Sequence, residues 1–215
     1  MANFWWFEFG GKPMRTILFS SVIMLAAAMA VFGQDGTFTP MKGTATPSFQ
    51  MSDANGRCLV FGTHIVKTSQ SDDGGENVNI WDREGKSAGT KACDVKLNPY
   101  ITINDADNNS FYGISADYFF IDTGTSAGSR TLFVYNTDSG YEITKVDYQN
   151  EPSLVSGRFL MYDEPTDKRG PISTCPQAAK WKRDGGSVGW VQGTKLDLKT
   201  ETTTKVGTLR CVYVE

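Results

Sequence analysis

Tyr118-Phe119-Phe120-Ile121-Asp122-Thr123-Gly124 is the stretch that decides the fold. Its aromatic and β-branched residues form a short run that ends at turn residues, a pattern typical of a β-strand. Runs of the same kind occur at Cys58-Leu59-Val60-Phe61, Thr131-Leu132-Phe133-Val134-Tyr135 and Phe159-Leu160-Met161-Tyr162. The sequence therefore predicts an all-β fold, built as an antiparallel meander of short strands.

A weak internal repeat organises these runs. Residues 55–61, 115–121 and 156–162 share a turn followed by an apolar strand, and a predicted hairpin follows each of them. This pattern resembles the blades of β-propellers, and the chain looks like uncharacterised secreted bacterial proteins with a propeller-like meander. Closed propellers have roughly four to eight blades, so three units fit either a propeller-like arrangement or a sandwich. The resemblance implies no activity.

A single short helix is predicted near residues 176–181. Pro176 suits the first turn of a helix, where its missing N–H costs nothing, and Gln177-Ala178-Ala179-Lys180 can continue it. We expect this helix to connect strands.

The N-terminus has the pattern of a secretory signal over residues 1–33. Lys12 and Arg15 precede the apolar run at residues 17–32, and this run is shorter than the ~20 residues of a membrane span. Met1 or Met14 is the true start. We expect an exported protein, periplasmic or extracellular, that is not embedded in a membrane after signal cleavage. A flexible lead-in over residues 34–46 and a single disulfide-linked β-domain over residues 47–215 are expected to follow.

Four cysteines lie beyond the predicted signal, and an even number in an oxidising compartment favours disulfides. Three connectivities are open. We favour Cys58–Cys93 with Cys175–Cys211, because each pair brackets one β-rich segment. Zinc is not expected, since no two cysteines are near neighbours and His64 is the single histidine.

The formal net charge of the chain is −3. Proteins that bind nucleic acids usually carry a stripe of lysine and arginine, which releases counterions from the phosphates. No such stripe is present in the sequence, and nucleic acid is therefore not an expected partner.

The residues Asp122-Thr123-Gly124 after an apolar strand resemble the active-site loop of aspartic proteases. Those enzymes pair two carboxylates that share one proton and activate water. A second Asp-Thr-Gly is absent from the sequence, so the resemblance implies a homodimer of the retropepsin type in which each subunit contributes Asp122. The alternative is a β-turn in which Gly124 adopts a positive φ.

Two further sets of residues are candidate binding sites. Asp105, Asp107 and Asn109 have the oxygen spacing that begins a calcium loop, although the glycine and the closing glutamate of such a loop are missing. Trp81, Trp181 and Trp190 are candidates for a ligand-binding platform, because flat aromatic faces bind with little loss of entropy. Their alternative role is to fill the core. No cofactor is expected.

The sequence contains no complete catalytic set. We therefore interpret the chain as a non-catalytic binding module for a protein or a glycan at the cell envelope. The alternative is the homodimeric aspartic protease.

Overall fold

The computed structural model describes residues 37–72, 74–83, 85, 89–104, 108–124 and 128–214. The predicted signal at residues 1–33 lies outside the described residues, as do Asp105 and Asp107. The chain from Thr37 onward forms one compact unit. No helix among the described residues has the length and apolar character that crossing a membrane requires.

Fourteen strands in the described residues form three antiparallel sheets, as the all-β prediction requires. The first sheet has its strands in chain order: β1 (Phe49–Asp53), β2 (Gly56–Val60), β3 (His64–Gln70), β4 (Glu76–Asp82) and β5 (Ile101–Ile103). The second sheet also follows chain order: β6 (Asn109–Ile114), β7 (Tyr118–Thr123), β8 (Arg130–Asn136) and β9 (Glu142–Tyr148).

The third sheet contains β10 (Ser153–Val155), β11 (Phe159–Pro165), β12 (Ser187–Asp197), β13 (Thr202–Lys205) and β14 (Arg210–Val214). Its long strand β12 pairs with β14 in its first half and with β13 in its second half. The three apolar runs of the sequence repeat become β2, β7 and β11, each the second strand of its sheet. The sequence repeat therefore corresponds to three successive sheets, each with an apolar second strand.

The second sheet lies between the other two, and the core has a layer on each of its faces. One layer joins it to the first sheet through Leu59, Val66, Val78, Ile80, Phe111, Phe119 and Ile121. The other joins it to the third sheet through Phe120, Leu132, Val134, Tyr148, Leu160, Tyr162 and Leu196. Every residue of β7 is buried as a consequence.

Both predicted disulfides, Cys58–Cys93 and Cys175–Cys211, are confirmed. The first attaches a 3-10 helix at Thr90–Cys93 to β2 of the first sheet. The second attaches the segment before the α-helix to β14 of the third sheet. The short helix is also confirmed as α1 (Ala178–Arg183).

The described part of the expected lead-in, residues 37–46, is packed against the sheets. Phe38 is 6% exposed in one core layer and Met41 is 2% exposed in the other. The backbone N–H of Met41 donates to the carbonyl of Tyr112 in β6, at 2.8 Å. Leu154 in β10 donates to the carbonyl of Lys42, also at 2.8 Å. The physical reason is that Phe38 and Met41 bury apolar surface, so the compact unit begins at Thr37, before the expected residue 47.

Candidate functional site

Asp122 lies in the middle layer and is 2% exposed. The hydroxyl of Tyr148 donates to Asp122 Oδ1 at 2.6 Å, and Arg130 Nε donates to the same oxygen at 3.1 Å. The Arg130 guanidinium also forms an ion pair with Oδ2. Burial raises the pKa of Tyr148, so its phenol stays protonated and acts as a donor. These contacts hold a charged carboxylate inside the protein.

The neighbours of Asp122 have the geometry of a strand that ends in a turn. Thr123 is 7% exposed, and its hydroxyl donates to the carbonyl of Thr131 on β8 at 3.4 Å. Gly124 has φ of +115°. A protease dyad needs a second carboxylate that shares a proton with the first, whereas the described partners of Asp122 are the two hydrogen-bond donors Tyr148 and Arg130.

The three candidate tryptophans lie in two separate clusters. Trp81 is 9% exposed and packs beside the Cys58–Cys93 disulfide. Trp190 is 8% exposed and lies beside the Cys175–Cys211 disulfide, where the half-buried Trp181 packs against the same cluster. Trp181 and Trp190 are thus brought together, and Trp81 belongs to another part of the molecule.

A groove on the third sheet is one of the concave features among the described residues. Its main cavity, about 670 Å³, has walls from the chain after β9, from β11 and β12, and from the connection between β13 and β14. The polar residues that line it are Asn150, Glu151, Ser153, Asp163, Thr194, Thr208 and Arg210.

Asp163 is the centre of the polar network in this groove and is 8% exposed. Arg210 forms an ion pair with Asp163 Oδ1, and the Asn150 amide donates to Oδ2 at 2.5 Å. The Arg210 side chain itself remains 59% exposed. Since a guanidinium carries five N–H donors, Arg210 is anchored by Asp163 and still has donors for a ligand.

Two smaller cavities adjoin the main one. A cavity of about 430 Å³ shares Asn150 and Arg210 with the main one and adds Trp181 and Tyr213. A third, about 240 Å³, shares Gln149 and Val212 with the second and reaches Trp190. The shared residues make the three cavities neighbours, and we call the three together the third-sheet groove.

Among the described residues, no cluster of three or more His, Cys, Asp or Glu side chains could hold a metal. The calcium candidates Asp105 and Asp107 lie outside those residues, so that site stays a prediction. Asn109 is 8% exposed, and its amide donates to the carbonyl of Asn104 at 3.3 Å. His64 is 8% exposed, with Nδ1 at 2.8 Å from the Thr63 hydroxyl. Burial lowers the pKa of His64, against the opposing effect of Asp82, and this favours the neutral ring.

Sequence reasoning found Trp181 and Trp190 but missed the polar part of the groove. Asn150, Asp163 and Arg210 are far apart in the chain and lie in no motif. They meet because β11, β12 and β14 are neighbours in the sheet, a pairing that the sequence does not encode locally.

Comparison with protein-family models, with curated proteins and with solved structures finds no match for this chain. The resemblances to propeller blades and to the loop of aspartic proteases therefore stay predictions. The functional interpretation rests on the geometry of the chain itself.

Proposed function

We propose that this protein is a non-catalytic binding module and that its ligand is an oligosaccharide of the cell envelope, held in the third-sheet groove. The observation that carries the proposal is the wall formed by Asn150 and Arg210. It separates a polar cavity from one that contains the aromatic rings of Trp181 and Tyr213. Sugar rings need both surfaces, because they have hydroxyl edges and an apolar face.

The hydrogen-bonding groups of the groove suit hydroxyls. Carboxylates only accept, guanidinium groups only donate, and amides do both. Glu151, Asn150 and Arg210 supply one group of each kind on exposed side chains. A ligand with several hydroxyls can bond to all three, since each hydroxyl both donates and accepts.

The shape of the groove favours a chain of rings. Ligand sites for compact molecules are usually single cavities of about 300–1,000 Å³, whereas this site consists of three neighbouring cavities that share lining residues. Two disulfides are typical of proteins in an oxidising compartment. That context supports a location in the periplasm or outside the cell, where envelope polymers are exposed.

Calorimetric titration with neutral oligosaccharides of one to six rings tests the proposal. Saturable binding that strengthens with the number of rings is expected, without cleavage of the oligosaccharide. The changes Trp181→Ala and Arg210→Lys should each weaken binding by about ten- to a hundredfold, because each removes contacts worth roughly 1.5–3 kcal/mol.

The matched control is Arg158→Lys. Arg158 also pairs with an aspartate of the third sheet, Asp197, but it lies outside the groove. This variant should bind as the unchanged protein does. Binding that is equally weak in all three variants, or absent for every oligosaccharide, would overturn the proposal.

A further inference from the structure

We propose that the first sheet carries a second carbohydrate site, on the face turned away from the second sheet. The site is a cavity of about 570 Å³, separate in its lining from the third-sheet groove. The class of the ligand, a neutral sugar, rests on the proposed function. The position of the site and its residues do not.

The floor of this cavity follows from the register of the strands. Met51, Cys58, Lys67 and Asn79 are paired in one row across β1 to β4. The opposite face of the same sheet is core, with Leu59 and Val66 fully buried. Directly paired side chains on one face have Cβ atoms about 4.5–5.5 Å apart, so these four residues form one continuous row on this face.

The wall of the cavity is the 3-10 helix at Thr90–Cys93, which the Cys58–Cys93 disulfide fixes above the floor. Trp81 lies two residues beyond Asn79 on β4, and its Nε1 donates to the carbonyl of Leu97 at 2.8 Å. This bond uses the polar atom of the indole and sets the orientation of the ring. Trp81 is 9% exposed, so it adds a small apolar surface to the cavity and not an open ring face.

The polar groups of the site have bonding capacity left. Lys67 Nζ donates to the carbonyl of Cys93 at 3.3 Å, and an ammonium has two further donors. Asn79 Oδ1 accepts from the Thr102 hydroxyl at 2.9 Å, which leaves its NH₂ group to donate. The exposed carboxylates of Asp53 and Asp94 line the same cavity and are acceptors.

The charge of the lining disfavours an anionic ligand. Asp53 and Asp94 line the cavity together with Lys67, whereas Arg57, the other cation of the lining, is paired with the Glu76 carboxylate. A phosphate or a carboxylate brought to Lys67 would also approach the two aspartates. Hydroxyl groups meet no such repulsion.

Two sites on the outer sheets of a three-layer stack would make the protein bivalent. The second sheet separates them, so two polymer chains can be held at once without contact between them. Bivalent attachment to one polymer raises the overall affinity through effective concentration and adds no new contact. The protein would then cross-link strands of its ligand.

The test is an NMR titration of the full chain with neutral oligosaccharides of one to six rings, following the side-chain amides of Asn79 and Asn150. Each amide reports one site, since Asn79 lines the first-sheet cavity and Asn150 lines the groove. Saturable shifts are expected for both. In Lys67→Met, which keeps the aliphatic stem, the Asn79 response should need at least tenfold more ligand while the Asn150 response is unchanged.

The exposed Lys199 lines neither site, so Lys199→Met is the control and should titrate normally. Shifts at Asn150 alone, or an Asn79 response that Lys67→Met leaves unchanged, would overturn the second site and leave the proposed function standing. Shifts at Asn79 alone would support the second site and contradict the groove. No shift at either amide would overturn both.

Discussion

Glu76 joins the first two sheets by polar contacts. Its carboxylate accepts from Arg57 Nη2 at 2.5 and 2.6 Å and from the Thr68 hydroxyl at 3.1 Å. It also accepts from the backbone N–H of Phe111 in β6, at 3.1 Å. The pairing of β6 with β7 shifts register between Phe111 and Gly113. Glu76 therefore satisfies a backbone donor at a point of irregular pairing, where an unpaired buried N–H would be costly.

Asp122 in the second sheet is held in a similar way to Glu76, because hydrogen-bond donors from two strands, β8 and β9, contact its carboxylate. Arg130 begins β8, and Tyr148, its direct partner in the register, ends β9. Removing one member of such a network leaves the others without partners, and this is more costly than the net worth of the bonds. The geometry favours a structural role for this carboxylate.

Asp122→Asn should lower the free energy of unfolding by about 1–3 kcal/mol, because the ion pair with Arg130 is lost and the amide is a poorer acceptor for Tyr148. Urea denaturation measures the change. Asp117→Asn is the matched control, since Asp117 is exposed just before the same strand, and it should stay within about 0.5 kcal/mol.

The aspartic-protease interpretation predicts a different outcome for Asp122→Asn. It requires acid-shifted cleavage of an unfolded substrate by the unchanged protein, and the loss of this cleavage in Asp122→Asn. Such a loss without a fall in stability would make Asp122 a catalytic residue and remove the structural role.

At the scale of elements, residues 37–46 connect two sheet edges that would otherwise be exposed. Met41 and Ala45 donate to the carbonyls of Tyr112 and Ile114 on β6, and the Lys42 carbonyl accepts from Leu154 on β10. Unpaired edge strands are sites of aggregation. This segment covers parts of both edges, and its packing explains why it is ordered although its Gly, Thr and Pro content is typical of a flexible segment.

Gly113→Ala should destabilise the protein by about 1–3 kcal/mol, the usual cost of overpacking. An added Cβ at Gly113 would lie 2.6 Å from the Thr44 hydroxyl oxygen and would push residues 37–46 off β6. Thermal or urea unfolding measures the loss. At Gly62 an added Cβ meets nothing within 4 Å, so Gly62→Ala is the control, and equal effects at the two positions would contradict this close approach.

The strands β2, β7, β8 and β11 could be predicted from the sequence because each has a local signal, as Phe119 to Ile121 and Phe159 to Tyr162 illustrate. The disulfides could be predicted because each pair brackets one segment. The packing of Met41 could not, since its partners are in the second and third sheets. The polar residues of the third-sheet groove could not be predicted for the same reason, because Asp163 and Arg210 become neighbours only when β12 lies between their strands.

At the scale of the whole molecule, the stack has a middle layer and two outer layers, and each outer sheet carries one disulfide. The two bonds close loops of nearly equal length, with separations of 35 and 36 residues. Stacked sheets lie about 10 Å apart, so the second sheet keeps the two bonds well separated. The two closed loops, Cys58 to Cys93 and Cys175 to Cys211, do not overlap in the chain. Each disulfide should therefore act on the unfolded chain independently of the other.

Replacing either cysteine pair by alanine should lower the free energy of unfolding by about 2–4 kcal/mol, since the loops have similar closure entropies. In the variant that lacks both disulfides, the free energy of unfolding should fall by the sum of the two single losses, as expected for distant sites. Urea denaturation of the three variants measures this. A combined loss clearly larger or smaller than the sum would show that the outer sheets are coupled through the middle one.

Each sheet consists of one continuous stretch of chain, within residues 49–103, 109–148 and 153–214. Contacts between neighbours in sequence form quickly, because little chain has to be closed into a loop. When such a chain is made or transported from its N-terminus, the first sheet can assemble before the third has emerged. Residues 37–46 are the exception, because their hydrogen-bonding partners belong to the second and third sheets. The earliest residues of the domain to arrive are therefore the last to reach their final positions.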